Sequence, residues 1–217
     1  MKKYLLVILM LFPYVAFAQT TTEDYSIYSK YLNDFENNRK GTKLDLIVLD
    51  TMAWSLKYNE PAIDDIVADF RRYFRGDKSN FEYEYTLFRE FTKALITDTL
   101  WISRLDDLNK KIKAGFKLEN FFPIALQVKV INKHTFNKYF KFSDKRRQVE
   151  RNWMRFHREY PMPSALIELS PIASDGTHAV FYFSMRCEGL CGEGDLVFFE
   201  KENGKWKSLY KAPLWYN

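Results

Sequence analysis

LVFFEKENGKWKSLY, residues 196 to 210, is the stretch that decides the fold of this 217-residue chain. Residues 196–201 and 205–210 each read as an extended segment, and Asn203-Gly204 lies between them. A two-residue type I′ turn needs positive φ at both central positions, which Asn and Gly reach with the least strain. Two segments joined in this way form an antiparallel hairpin. Upstream, residues 165–169 and 178–186 are dense in aliphatic and aromatic side chains and add further strands. The chain therefore closes on an antiparallel meander.

The earlier part follows a different period. Ile63, Ile66, Val67, Phe70 and Phe74 recur at helical spacing after Pro61, and Leu87, Phe91 and Leu95 outline a second helix. Ser103 and Asp106 offer a capping arrangement for a third, with Leu105, Leu108 and Ile112 inside and Gly115 as its stop. Asp144 caps a fourth, whose Val149, Trp153, Phe156 and Tyr160 share one face until Pro161. Extended segments are fewer here: residues 44–49 form an apolar run, and Ile124, Leu126, Val128 and Val130 alternate with other residues. The expected fold class is α+β, a helical N-terminal half followed by a C-terminal antiparallel β-meander. With no repeat and no Pro/Gly/Ser linker, residues 19–217 read as one domain, mainly helical over 19–160 and mainly β over 161–217.

Residues 1–18 read as a signal peptide. Lys2 and Lys3 are followed by an apolar run over 4–15, and Ala16-Phe17-Ala18 gives the small-x-small pattern before a cut at Gln19. The run is shorter than the roughly 20 residues that span a bilayer, and no later run approaches that length. An exported protein, periplasmic or extracellular, with no transmembrane segment after cleavage, is expected. The net charge of +5 falls by two to +3 when Lys2 and Lys3 leave. Residues 138–158 and 201–211 are the densest basic stretches and offer a weak anion-binding face. No nucleic-acid motif accompanies them, so nucleic acid is not an expected partner.

Both cysteines fall in CEGLCGEGD, residues 187–195, with Gly189, Gly192 and Gly194. In an oxidising compartment, Cys187 and Cys191 are close enough in sequence for a turn to bring them within bridging distance. Compartment and spacing favour a Cys187–Cys191 disulfide, with Glu188, Leu190, Glu193 and Asp195 on the loop as candidate binding residues. The metal readings are weaker. His134, His157 and His178 have none of the spacings of a zinc site, and Glu188, Glu193 and Asp195 lack the alternation of a calcium loop. A redox pair would want C-x-x-C. No cofactor and no metal are expected.

Catalytic signals are sparse. There is no G-x-S-x-G. Asp45, Asp50, Asp64 and Asp65 are the carboxylates that a pairing would draw on, the last two suiting a helix start. His157 reads as a partly exposed helix residue, and Arg75-Gly76-Asp77 as a helix end. The 5 Trp, 14 Tyr and 19 Phe exceed the needs of a core of this size, which points to an aromatic surface.

One resemblance follows from the C-terminal residues. Trp153-x-x-Phe156-x-x-x-Tyr160-Pro161, Ser170, Asp175-Gly176, Ala179, Cys187-x-x-Leu190-Cys191-Gly192-x-Gly194, Asn203-Gly204-Lys205-Trp206 and Leu214-Trp215 together resemble a family of small exported bacterial proteins of unknown function. The likeness covers about the last third of the chain, with a weaker echo in Phe136 to Phe140. The chain departs from it at Glu188, where the family has glycine, and at its terminal Tyr216-Asn217. The resemblance implies export, and the family supplies no established catalytic residues to carry over. The Gly-Lys-Trp hairpin is also similar to that of cone-shaped domains of the nuclear-transport-factor type, which implies a cone-like sheet. The leading expectation is a non-catalytic exported binding protein that engages a protein, peptide or glycan through an aromatic surface near the stapled loop. The alternatives are a small pocket-bearing hydrolase or isomerase, and an inhibitor or immunity-type protein whose loop enters a partner's cleft.

Overall fold

The computed structural model describes residues 18–37, 45–52, 99–119, 121–123, 128–140, 146–161, 164–187 and 191–216. In chain order these form β1 (Ala18–Gln19), α1 (Thr22–Asn37), β2 (Asp45–Leu49), α2 (Thr99–Ala114), β3 (Phe116–Lys117), β4 (Val128–Ile131), α3 (Lys133–Tyr139), α4 (Arg146–Glu159), β5 (Ser164–Leu169), β6 (Ala173–Ser174), β7 (His178–Arg186), β8 (Gly192–Glu202) and β9 (Lys205–Tyr216). The leader up to Phe17, the helices expected over 63–74 and 87–95, Arg75-Gly76-Asp77 and Asp144 lie outside the described residues.

The expected hairpin forms. Asn203 and Gly204 take φ of 50° and 77°, and β8 pairs antiparallel with β9 from Glu202↔Lys205 to Glu193↔Tyr216. Both strands run well past the 196–210 stretch. A seven-stranded sheet follows in the order β4-β2-β5-β7-β8-β9, with the short β6 also paired to β7. The fold is mixed α+β, and the arrangement is not simply helices first and strands last. Both β2 and β4, from the part expected to be mainly helical, belong to the sheet, and β2 pairs parallel with β4 and with β5. The sequence of β2, DLIVL, is apolar on both faces after its first residue, as an interior parallel strand requires. Helices lie in both halves of the chain.

Alternation along the strands builds two cores. Leu46, Val48, Ala165, Ile167 and Leu169 face one side, where α1 packs. Its Tyr28 and Tyr31 meet Phe181 edge-on, with ring centroids 5.3 and 5.5 Å apart. Ile47, Leu49 and Leu166 face the other side and carry Phe136 and Phe140 of the α3 end and Trp153 and Phe156 of α4. The neighbours Phe198 and Phe199 in β8 both belong to the first core: the first meets Trp101 of α2 at 5.2 Å, the second Tyr31 of α1 at 6.5 Å. Aromatic side chains thus fill the interior in T-shaped pairs such as Phe140–Trp153 and in stacked pairs such as Phe136–Phe140 and Phe156–Tyr160. Most of the described rings are core.

Local signals explain the helix ends. Thr21 and Asp24 cap α1 reciprocally: each backbone N–H donates to the other's side chain, at 2.7 and 3.1 Å. Asn132 caps α3 by accepting from the Thr135 N–H at 2.8 Å. Gly115, at φ 78°, stops α2 as expected, but the helix begins at Thr99, so Ser103 and Asp106 lie inside it and do not cap its start. Trp153, Phe156 and Tyr160 of the α4 stripe are buried as their spacing implies.

Candidate functional site at the stapled end of the ladder

Two glycines create the site. Gly192 and Gly194, two apart in β8, face the same side of the sheet. The indole of Trp215 in β9 lies over them. A Cβ on Gly194 would collide with that ring, and one on Gly192 would come within 3.0 Å of it and 3.1 Å of the Met185 carbonyl oxygen. The ring is then held from β7. Trp215 Nε1 donates to the Tyr182 hydroxyl at 3.0 Å, and the Arg186 guanidinium stacks 4.2 Å from the ring centroid. The neighbouring Tyr216 is 66% exposed, the largest exposure among the described bulky hydrophobic residues.

The same end carries the disulfide. Cys187 and Cys191 are bonded, with their Cα atoms 5.1 Å apart, and the Cys187 N–H donates to the Cys191 carbonyl at 3.0 Å. Glu188 and Leu190 fall within 188–190, outside the described residues. Glu193 and Asp195 are placed differently from the expectation of a loop. Both belong to β8, because the β7–β8 ladder runs unbroken to Arg186↔Gly192 and leaves only 187–191 as the connection.

Asp195 is fully buried, opposite Phe183. Lys211 Nζ lies 2.8 Å from its Oδ2 and also 5.9 Å from the centre of the Tyr31 ring. Burial pushes the Asp195 carboxyl above its usual range, and Lys211 opposes that rise without cancelling it. Asp195 is therefore an interior charge pair rather than a surface ligand. Among the described residues, no group of three or more His, Cys, Asp and Glu side chains is placed to hold a metal ion.

Two other places bear on chemistry. Asp50 follows β2 at the carboxyl ends of the parallel strands β4, β2 and β5, where open α/β sheets place their ligands. It is buried and accepts the Lys133 N–H at 3.1 Å; burial raises its carboxyl's pKa. Asp45 begins the same strand and is exposed at the opposite end, so the two cannot act as a pair. Asp64 and Asp65 lie outside the described residues. A cleft of about 330 Å³ opens between the start of α1 and the β6 region, lined by Glu23, Asp24, Tyr28, Lys111 and Ile172 among others. Neither Asp50 nor Asp195 lines it. His157 is half-buried, stacked on Trp153 at 5.5 Å with Nδ1 3.1 Å from the Tyr160 carbonyl, a structural placement.

Trp215 entered the sequence reading only through the Leu214-Trp215 resemblance, and Arg186, Tyr182 and Lys211 escaped it. The one local signal for them was the Gly-x-Gly spacing within a strand, which leaves an empty lane on one face. Comparison of the chain with protein-family models, curated proteins and solved structures found no match. Among the described residues no helix is long and apolar enough to cross a membrane.

Proposed function

We propose that this is a non-catalytic binding protein, exported from the cell, whose contact surface is the stapled end of the β7–β8–β9 ladder. The observation that carries the reading is the exposed Tyr216, next in the strand to an indole that Arg186, Tyr182 and the glycine lane immobilise on the opposite face of the sheet. Rigid aromatic side chains lose little conformational entropy on binding, which is why they anchor interfaces. The disulfide limits the motion of the adjoining connection, and Glu188 and Leu190 belong to it. The partner is a protein, peptide or glycan. Export follows from the leader-like residues 1–18 and agrees with a disulfide; the mass of the exported chain should begin at Gln19.

A photo-crosslinking residue at position 216, compared with one at the exposed Leu209 of the same strand, tests the surface. Adducts formed in the envelope fraction from position 216 alone support it. Identical adducts from both positions, or none from either, would remove it.

Asp50 favours a second reading, a small hydrolase or isomerase using the carboxyl ends of β2, β4 and β5. That reading requires Asp50→Asn to abolish a turnover that Tyr216→Ala leaves intact.

A further inference from the structure

The solvent side of α4 is a line of arginines. At about 100° per residue, Arg147, Arg151 and Arg158 fall within about 40° of one another and directly opposite the buried Trp153 and Phe156. Met154 stands in the same line and is 52% exposed. Arg155 lies on one flank, where its guanidinium donates to the Lys138 carbonyl at 3.1 Å.

These arginines are not spent on ion pairs. Arg151 donates to the carbonyl of Arg147 at 3.2 Å, and no carboxylate reaches Arg147, Arg151, Arg155 or Arg158 among the described residues. Elsewhere on the surface, Lys30, Lys111, Lys138, Lys201 and Lys207 each lie within 3.5 Å of a carboxylate. Lys110, Lys117, Lys129, Lys133 and Lys205 are scattered cations with no ion pair among the described residues; the arginines differ from these in standing in one row. Like charges four residues apart weaken a helix. A row of them without a carboxylate partner among the described residues is unfavourable for folding and suited to an external anion.

We propose that the α4 stripe binds a linear acidic polysaccharide laid along the helix. From Arg147 to Arg158 the stripe is about 16 Å long at the helical rise, several sugar units of a chain. Guanidinium forks take carboxylate and sulfate groups in paired hydrogen bonds. The face is a convex helix side whose apolar content in this line is Met154, so it lacks the anchors and area of a stable protein interface. A bilayer fits less well. Glu150 and Glu159 are exposed on the two flanks of the stripe. A plane of anionic headgroups would meet Glu150 on one side, whereas a narrow chain passes beside it; Glu159 on the other side is already paired with Lys138 at 3.4 Å. This surface is independent of the stapled end of the ladder.

The test uses the full exported chain with heparin and polygalacturonate as probes, neutral dextran as a control and phosphatidylglycerol vesicles as the planar alternative. Both acidic polysaccharides should bind at low salt and release as salt rises, because the contact is electrostatic. Arg147→Gln with Arg151→Gln and Arg158→Gln should weaken binding at least tenfold without lowering the thermal midpoint. The corresponding triple lysine variant keeps the charge, loses the fork, and should bind with intermediate strength. Lys110→Gln with Lys205→Gln and Lys207→Gln removes equal charge elsewhere and should bind like the wild type. Equal loss in the two glutamine variants would reduce the effect to net charge and overturn the proposal. Absence of polysaccharide binding, or preference for the vesicles, would overturn it as well.

Discussion

Gly194 and Trp215 occupy a single space: the indole of one fills the position where a side chain of the other would stand. The two are register partners across β8 and β9, next to an irregularity in the ladder between Gly194 and Asp195. This contact sets the first expectation. Gly194→Ala should destabilise the protein by about 1–3 kcal/mol, the usual cost of forcing an extra carbon into a filled site. In Trp215→Ala the same change should cost much less. A double-mutant cycle in urea measures the coupling, and additive effects would show that the ring does not occupy the lane.

The disulfide closes a very short ring, so it constrains the connection more than the fold. Cys187→Ser with Cys191→Ser should remain folded and lose about 1–3 kcal/mol by the loop-entropy relation. Thiol labelling of the unreduced exported protein under denaturing conditions should find no free cysteine. Labelling of both would contradict the bond between Cys187 and Cys191.

At the opposite end of β8, Gly204 sits at φ 77° with nothing near its Cα to obstruct a side chain. The cost of Gly204→Val is therefore conformational rather than steric crowding. It should be about 1 kcal/mol or more, since a β-branched residue resists positive φ. Gly204→Asn, which tolerates that region, should cost less. Thermal unfolding of the two variants separates these outcomes.

The Asp195 carboxyl has a folded pKa above its ordinary 3.8, raised mainly by burial. In the window between those two values the folded state holds a proton that the unfolded chain has released. Stability from this group is thus present at low pH and lost as pH rises through the folded value. Acidification from neutrality toward 3.8 should therefore raise the stability of the wild type relative to Asp195→Asn. Urea midpoints across that range provide the check, and a constant difference between the two proteins would contradict the burial of a titrating group. Asp50 shifts in the same direction, but it is common to both proteins and cancels.

The parts of the fold legible beforehand were those written in neighbouring residues. Asn203-Gly204 specified its own turn, residues 178–186 their strand, and the Trp153, Phe156 and Tyr160 spacing the buried face of α4. Helix α1 carried an equally local signature that went unread: the Thr21–Asp24 cap, then Tyr25, Tyr28, Leu32 and Phe35 on one face. The candidate site was legible only in its cysteines. Asp195 looked like one more acidic loop residue because three glycines and two cysteines surround it. Its burial depends on Phe183 and Lys211, which are remote in sequence.

By itself, then, the sequence determined the turn, the strand and helix periods and the nearness of Cys187 to Cys191. Each of these rests on φ preference, side-chain period or a short closed ring, forces that act within a few residues. The tertiary structure alone decided that β2 lies between β4 and β5, that Trp215 fills the lane over Gly192 and Gly194, and that Asp195 is interior while Tyr216 is exposed. Those outcomes depend on which distant segments exclude water from one another. Hydrophobic burial is non-directional, and it acquires a geometry only when the whole sheet and its helices are assembled.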